Sequence, residues 1–131
     1  DTTPAMSKAE ASMLRGGKSI DNITFKTEIK SGNTFSSTTF EGVNYRINRS
    51  HAFNRPHKKP NTSVTTSFEG TGLTANQVER GIIGNVRGVK LPVLGEGKPY
   101  TGNVKIGDFN IQYNAGKLSN GTVNISNYFI E

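Results

Sequence analysis

The sequence has no cysteine and no tryptophan. Without thiols there is no disulfide framework, no zinc–thiolate site and no cysteine nucleophile, so the fold must stand unstapled in either redox compartment. Histidine is scarce, and His51 and His57 supply all the imidazole the chain has. No apolar run approaches the roughly 18 residues needed to span a bilayer, and no stretch has the apolar centre of a signal peptide. Acidic residues are outnumbered, 10 against 16 Lys and Arg, leaving a formal charge of +6. The first residue is Asp1 rather than Met, so the chain reads as a fragment or processed product delivered by something outside it.

What is present fits one domain of 131 residues with a modest core. Hydrophobic residues make up 32%, but Gly, Ser, Thr and Asn are abundant and the aromatics are spread along the chain. That mixture suits a β-rich domain with many turns better than a disordered tail. The basic balance favours an acidic partner: nucleic acid, an anionic surface or an acidic protein.

Ser7 to Glu10 has capping-box spacing, and Ala9, Ala11, Met13 and Leu14 continue a short helix until Gly16-Gly17 stop it. Residues 1–20 thus read as a helical extension ahead of a core over 21–131. From Asn22 to Lys30, Ile23, Phe25, Thr27 and Ile29 alternate with polar residues, the mark of a half-buried strand. Thr34 to Phe40 and Val43 to Ile47 are further strands, separated by turn signals at Ser31-Gly32 and Glu41-Gly42. Thr74 to Gln77 repeats the capping box, and Val78, Ile82 and Val86 form one stripe of a central helix, with Ile83 beside it. Gly88 to Gly97 reads as a strand or extended segment. Alternation then runs through Val104 and Ile106, through Phe109, Ile111 and Tyr113, and through Val123 and Ile125, with turns between, as in an antiparallel meander. The fold class this predicts is α+β: a short N-terminal helix and one capped central helix packed on a twisted antiparallel sheet that ends in a C-terminal meander.

Both histidines fall in the stretch Val43 to Phe68, in which Arg46, Arg49, Arg55, Lys58 and Lys59 are basic and no residue between Glu41 and Glu69 is acidic. Such a segment attracts phosphate and can move protons beside it. Metal-free cleavage of RNA needs a base for the ribose 2′-OH, an acid for the departing 5′-oxygen, and positive charge for the phosphorane. His51 and His57 suit the first two roles, since an imidazole near pKa 6.5 exists in both states at working pH. Lys58, Lys59 or Arg55 can supply the charge. Near the C-terminus, Ser126 and Tyr128 stand two apart, which on a regular strand places hydroxyl and phenol on one face, able to hold a phosphate oxygen and stack on a base.

Other chemistry finds little support. Gly95-Glu96-Gly97-Lys98 evokes a phosphate loop, but Pro92 stands where the first glycine belongs and Pro99 follows the lysine, which excludes a Walker motif. Two histidines without cysteine or an acidic cluster make poor zinc ligands, so neither a metal nor another cofactor is expected. Ser50 and His51 are neighbours, a spacing that makes no catalytic triad.

A small helical N-terminal part, a capped helix, a C-terminal meander, two histidines and the terminal Ser126-Asn127-Tyr128 together resemble the barnase–EndoU–colicin–RelE group of ribonucleases. That group is common in the C-terminal toxin domains of bacterial contact-dependent inhibition proteins. The resemblance spans residues 43–131 and implies catalytic roles for His51, His57, a lysine such as Lys58, Ser126 and Tyr128. Arg46, Arg49, Arg55, Lys59 and Lys98 would contact RNA. The histidines are closer together than in the EndoU pattern, and the Gly-rich surroundings of the second are missing. The resemblance further implies delivery as part of a larger secreted or surface protein, action on tRNA in a target-cell cytoplasm, an acidic cognate immunity protein, a host activator protein and a monomeric state without membrane contact. A different class of function fits the same composition: a basic β-rich module that holds nucleic acid or an acidic protein without chemistry.

Overall fold

Two tight turns set up the first half of the molecule. The strands Lys26–Lys30 (β1), Asn33–Phe40 (β2) and Val43–Asn48 (β3) are joined by Ser31-Gly32 and Glu41-Gly42. All four turn residues have positive φ, at 53°, 79°, 53° and 78°. Two successive residues in that region make a type I′ turn, whose twist matches that of the strands it joins. The structure, a computed structural model, describes residues 20–58 and 61–131. The helix expected between Ser7 and Gly17 lies outside the described residues, as does Lys59.

The one described α-helix, Ala75–Val86 (α1), starts at the expected capping box: Thr74 accepts from the Gln77 amide, and the Gln77 side chain accepts from the Thr74 amide in return. Its stripe of Val78, Ile82, Ile83 and Val86 is buried. The meander follows as Tyr100–Ile106 (β6), Phe109–Lys117 (β7) and Val123–Ile130 (β8). Two short strands, His57–Lys58 (β4) and Thr65–Thr66 (β5), pair as a separate ribbon. Between α1 and β6, Gly88 to Gly97 forms no strand: a turn at Gly88 leads into an irregular stretch that ends in a second turn over residues 94–97. It is pinned to the end of β7 by a Val93–Lys117 bridge and by bonds from Leu94 N to Lys117 O and from Lys117 N to Pro92 O.

The main sheet has the order β1-β2-β3-β8-β7-β6. It is mixed rather than wholly antiparallel, because β3 and β8 meet in parallel at the centre with Arg46 opposite Asn124. A parallel pair needs a long crossover, and here the ribbon, α1, β6 and β7 all lie within it. The sheet is therefore two antiparallel meanders joined edge to edge, with the helix on one face. Ile47, Ile111, Tyr113 and Ile125 are 0% exposed on that face, and burial of each aliphatic side chain contributes about 1.5–3 kcal/mol. Gly102 on β6 is needed because the Tyr113 ring occupies the space its Cβ would take.

Among the described residues the opposite face carries no helix. Alternation assigns to it Phe35, Ser37 and Thr39 of β2, Asn44 and Arg46 of β3, and Gln112 and Asn114 of β7. Polar side chains are tied across it, from Thr101 to Asn114 at 2.9 Å and from Asn114 to Asn127 at 2.8 Å. Among the described residues no helix is long and apolar enough to cross a membrane.

Candidate functional site

At the C-terminal end of β3 the chain turns sharply, since Asn48 caps a single 3-10 turn, Arg49–His51, by accepting from the Ser50 amide at 3.1 Å. The segment after it is anchored at several points. Ala52 is 0% exposed, the Phe53 ring stacks on Phe68 with centroids 4.8 Å apart, and Phe68 meets Tyr128 edge-on at 5.5 Å. The β4–β5 ribbon is fastened to the end of β8 by a bond from the Thr66 hydroxyl to the Ile130 carbonyl at 2.9 Å. The segment, broken by Pro56 in the sequence, is a packed lobe over the C-terminal ends of β3 and β8.

His57 lies in this lobe with its ring stacked on Phe129, centroids 5.0 Å apart and planes inclined by 25°. Phe129 stands between buried Tyr128 and Ile130 and thus points to the open face, so the imidazole sits there too. Burial, foremost, lowers the His57 pKa below its ordinary value of 6.5; the nearby charges of Arg55 and His51 act in the same direction, and a hydrogen bond to the His51 backbone acts against it. Its Nε2 is buried and has no hydrogen-bond partner among the described residues. His51 is exposed. Arg55 is also exposed and lines a hollow of about 200 Å³ with Phe53, Phe68 and Glu69. Lys58 follows His57 on β4 and is exposed. The fold thus brings His51, His57, Arg55 and Lys58 into one lobe.

Arg49 and Tyr128, expected to meet RNA, turn instead toward Glu79. Glu79, on the flank of the α1 stripe, is 0% exposed. Its carboxylate accepts from the Ser36 hydroxyl at 2.8 Å, from Arg49 Nε and Nη2 at 2.8 and 2.7 Å, and from the Tyr128 hydroxyl at 2.7 Å. Arg49 Nη2 also donates to Asn76 at 2.6 Å. Arg49 is thereby committed to the interior and gives no phosphate contact, and its pKa is raised chiefly by the hydrogen bond to Glu79. Tyr128 is 0% exposed, and burial followed by the Glu79 charge raises its pKa far above the ordinary 10.0.

The shared face expected for Ser126 and Tyr128 fails for a definite reason. The β7–β8 register shifts between Asn114 and Ala115, so that Asn127 and Ile125 take the pairing positions and Ser126 is left over as a bulge. One extra residue inverts the alternation beyond it. Ile125 and Tyr128 both face the helix, while Ser126 reaches only the Asn114 carbonyl, at 3.5 Å.

The remaining basic residues divide. Arg46 is on the open face with its guanidinium 4.0 Å from the centroid of the Phe35 ring. Lys98 precedes β6, whose Tyr100 pairs with Ala115 near the start of β8. That places it at the other end of the sheet from Phe129, roughly 20 Å away along the strands. Sequence reasoning missed Glu79, Phe129 and Phe35. A carboxylate four residues before Ile83, on a helix whose apolar stripe includes that residue, was the available signal for the first; the aromatics carry none. Among the described residues no group of three or more His, Asp or Glu could hold a metal ion. No family model matches the chain, and neither a curated protein nor a solved structure matches it.

Proposed function

We propose that this domain is a metal-independent endoribonuclease that cleaves tRNA or another structured RNA, of the kind used as a toxin domain in bacterial contact-dependent inhibition. The observation that carries this reading is the lobe itself: two histidines beside one another, flanked by Arg55 and Lys58, with His57 held toward its neutral form. A neutral imidazole is a base, and the exposed His51, Arg55 and Lys58 beside it are open to a phosphate.

In the reaction, His57 takes the 2′-OH proton and the 2′-oxygen attacks the adjacent phosphorus. The phosphorane's charge falls to Arg55 and Lys58. The bond to the 5′-oxygen then breaks, and His51 protonates that oxygen, leaving a 2′,3′-cyclic phosphate and a 5′-hydroxyl. Ser126 and Tyr128 take no part in this scheme. A basic lobe of this kind would be restrained in the producing cell by an acidic immunity protein.

The test is incubation of the purified domain with total bacterial RNA, with and without EDTA. Discrete products are expected in both, and His51→Ala or His57→Ala should slow cleavage by about 10²–10⁴-fold while melting behaviour is retained. Undiminished cleavage by both variants overturns the site. RNA that stays intact, even with cell extract added to supply an activator protein, favours the second reading: a module that binds RNA without chemistry, for which the polar sheet face opposite α1 is the specific support.

A further inference from the structure

The face of the sheet away from α1 holds a groove of about 530 Å³ over β1, β2 and β3, with Thr122 at its rim. Its floor is the Phe35 ring with the Arg46 guanidinium lying on it, 4.0 Å from the centroid. Guanidinium and ring attract one another at that distance, which restrains the cation over the ring. Lys26 is on one side, in register with Ser37, and Glu28 is in register with Phe35. On the other side the Thr39 hydroxyl donates to the Asn44 carbonyl oxygen at 2.6 Å, which turns the Asn44 amide nitrogen away from that bond.

A guanidinium over an aromatic floor, a second cation beside it and a rim of hydroxyls and amides match one chemical class well: a nucleobase with its phosphate. The base stacks on the guanidinium, Lys26 meets the phosphate, and Glu28 accepts from an exocyclic amino group. We propose that this groove binds one nucleotide of single-stranded RNA. Arg46 is level with Asn124 on β8, whereas His57 stacks on Phe129 of the same strand. The two places are roughly 15 Å apart along β8 and on the same face, within reach of one short strand of RNA. The inference deepens the proposed function by naming where the RNA lies beside the scissile phosphate, and its readout is binding, which stays informative if the domain cleaves nothing.

The test uses a fluorescent single-stranded RNA oligonucleotide with every 2′-oxygen methylated, which removes the nucleophile, and reads anisotropy against the full chain. Arg46→Ala should weaken binding by about tenfold or more, the loss expected for one stacking platform. Arg46→Lys keeps the charge without the plane and should fall between. Phe35→Leu keeps apolar bulk without the ring and should resemble Arg46→Lys. Lys90→Ala, an exposed cation outside the groove, should change affinity by less than about twofold. The proposal is overturned if the oligonucleotide does not bind, if both Arg46 variants bind as the parent does, or if Lys90→Ala costs as much as Arg46→Ala. Equal competition by a duplex of the same length also overturns it, since a paired base cannot enter the groove.

Discussion

Arg46 and Arg49 stand three residues apart on one strand and its turn, and the fold gives them opposite fates. Arg49 points to the helix side, where Glu79 receives it with two hydrogen bonds and Asn76 takes a third. Arg46 points to the open side and rests on Phe35. The first is an ion pair whose partners are spent on each other; the second is half-exposed over an aromatic ring. Cationic density along a sequence therefore overstates the charge available to a ligand, because a carboxylate brought from a distant helix can claim part of it.

The comparison breaks most visibly at Glu79. Glu79→Ala leaves Arg49 buried without a counter-charge, and loss of one partner of such a pair costs about 3–5 kcal/mol. Arg46→Ala, at a half-exposed site, should stay within about 0.5 kcal/mol of the parent. Urea unfolding of the two variants reads both, and equal costs would show that the two arginines are not energetically distinct.

Tyr128→Phe sharpens the same contrast with a smaller change. It removes one donor from a carboxylate that still has Arg49 and Ser36, so a loss of about 1.5–3 kcal/mol is expected, the range for a hydrogen bond to a charged group. If Tyr128 instead served on the open face, the variant would unfold like the parent and lose RNA cleavage. The smallest effect concerns the lobe. His57 has a pKa below its ordinary 6.5 in the folded protein, so the unfolded chain binds a proton more readily. Stability from this group is complete above the unfolded value and declines as pH falls through it toward the lowered folded value. The melting temperature should therefore fall on going from about pH 7 to about pH 5, and the fall should be smaller in His57→Phe, which keeps a ring on Phe129. An identical fall in both proteins would locate the pH dependence elsewhere.

Much of the fold was legible because it is written in local patterns. The capping box at Thr74, the stripe on α1, the alternation through β6, β7 and β8 and the glycine turns of the first hairpins each follow from a few neighbouring residues. The strand pairing at the centre did not follow. A parallel contact between β3 and β8 joins segments some eighty residues apart, and nothing in either strand states which edge it will meet. The site was legible in part for the same reason. The histidines and their basic neighbours cluster in sequence, but the Ser126 bulge depends on the register β8 adopts against β7, and a single unpaired residue turned Tyr128 from the expected face to the core.

The sequence by itself determined α1, the strands of the two meanders, the α+β class, the net positive charge and the grouping of both histidines with Arg55 and Lys58, since all of these depend on residue type and short-range spacing. Tertiary structure decided which basic residues remain available, where the polar sheet face opposite α1 lies, and that His57 stacks on Phe129 with Nε2 buried. Those outcomes depend on long-range register and on where Glu79 is buried, because a charge is neutralised by whatever partner packing places within a few ångströms of it, at any distance along the chain.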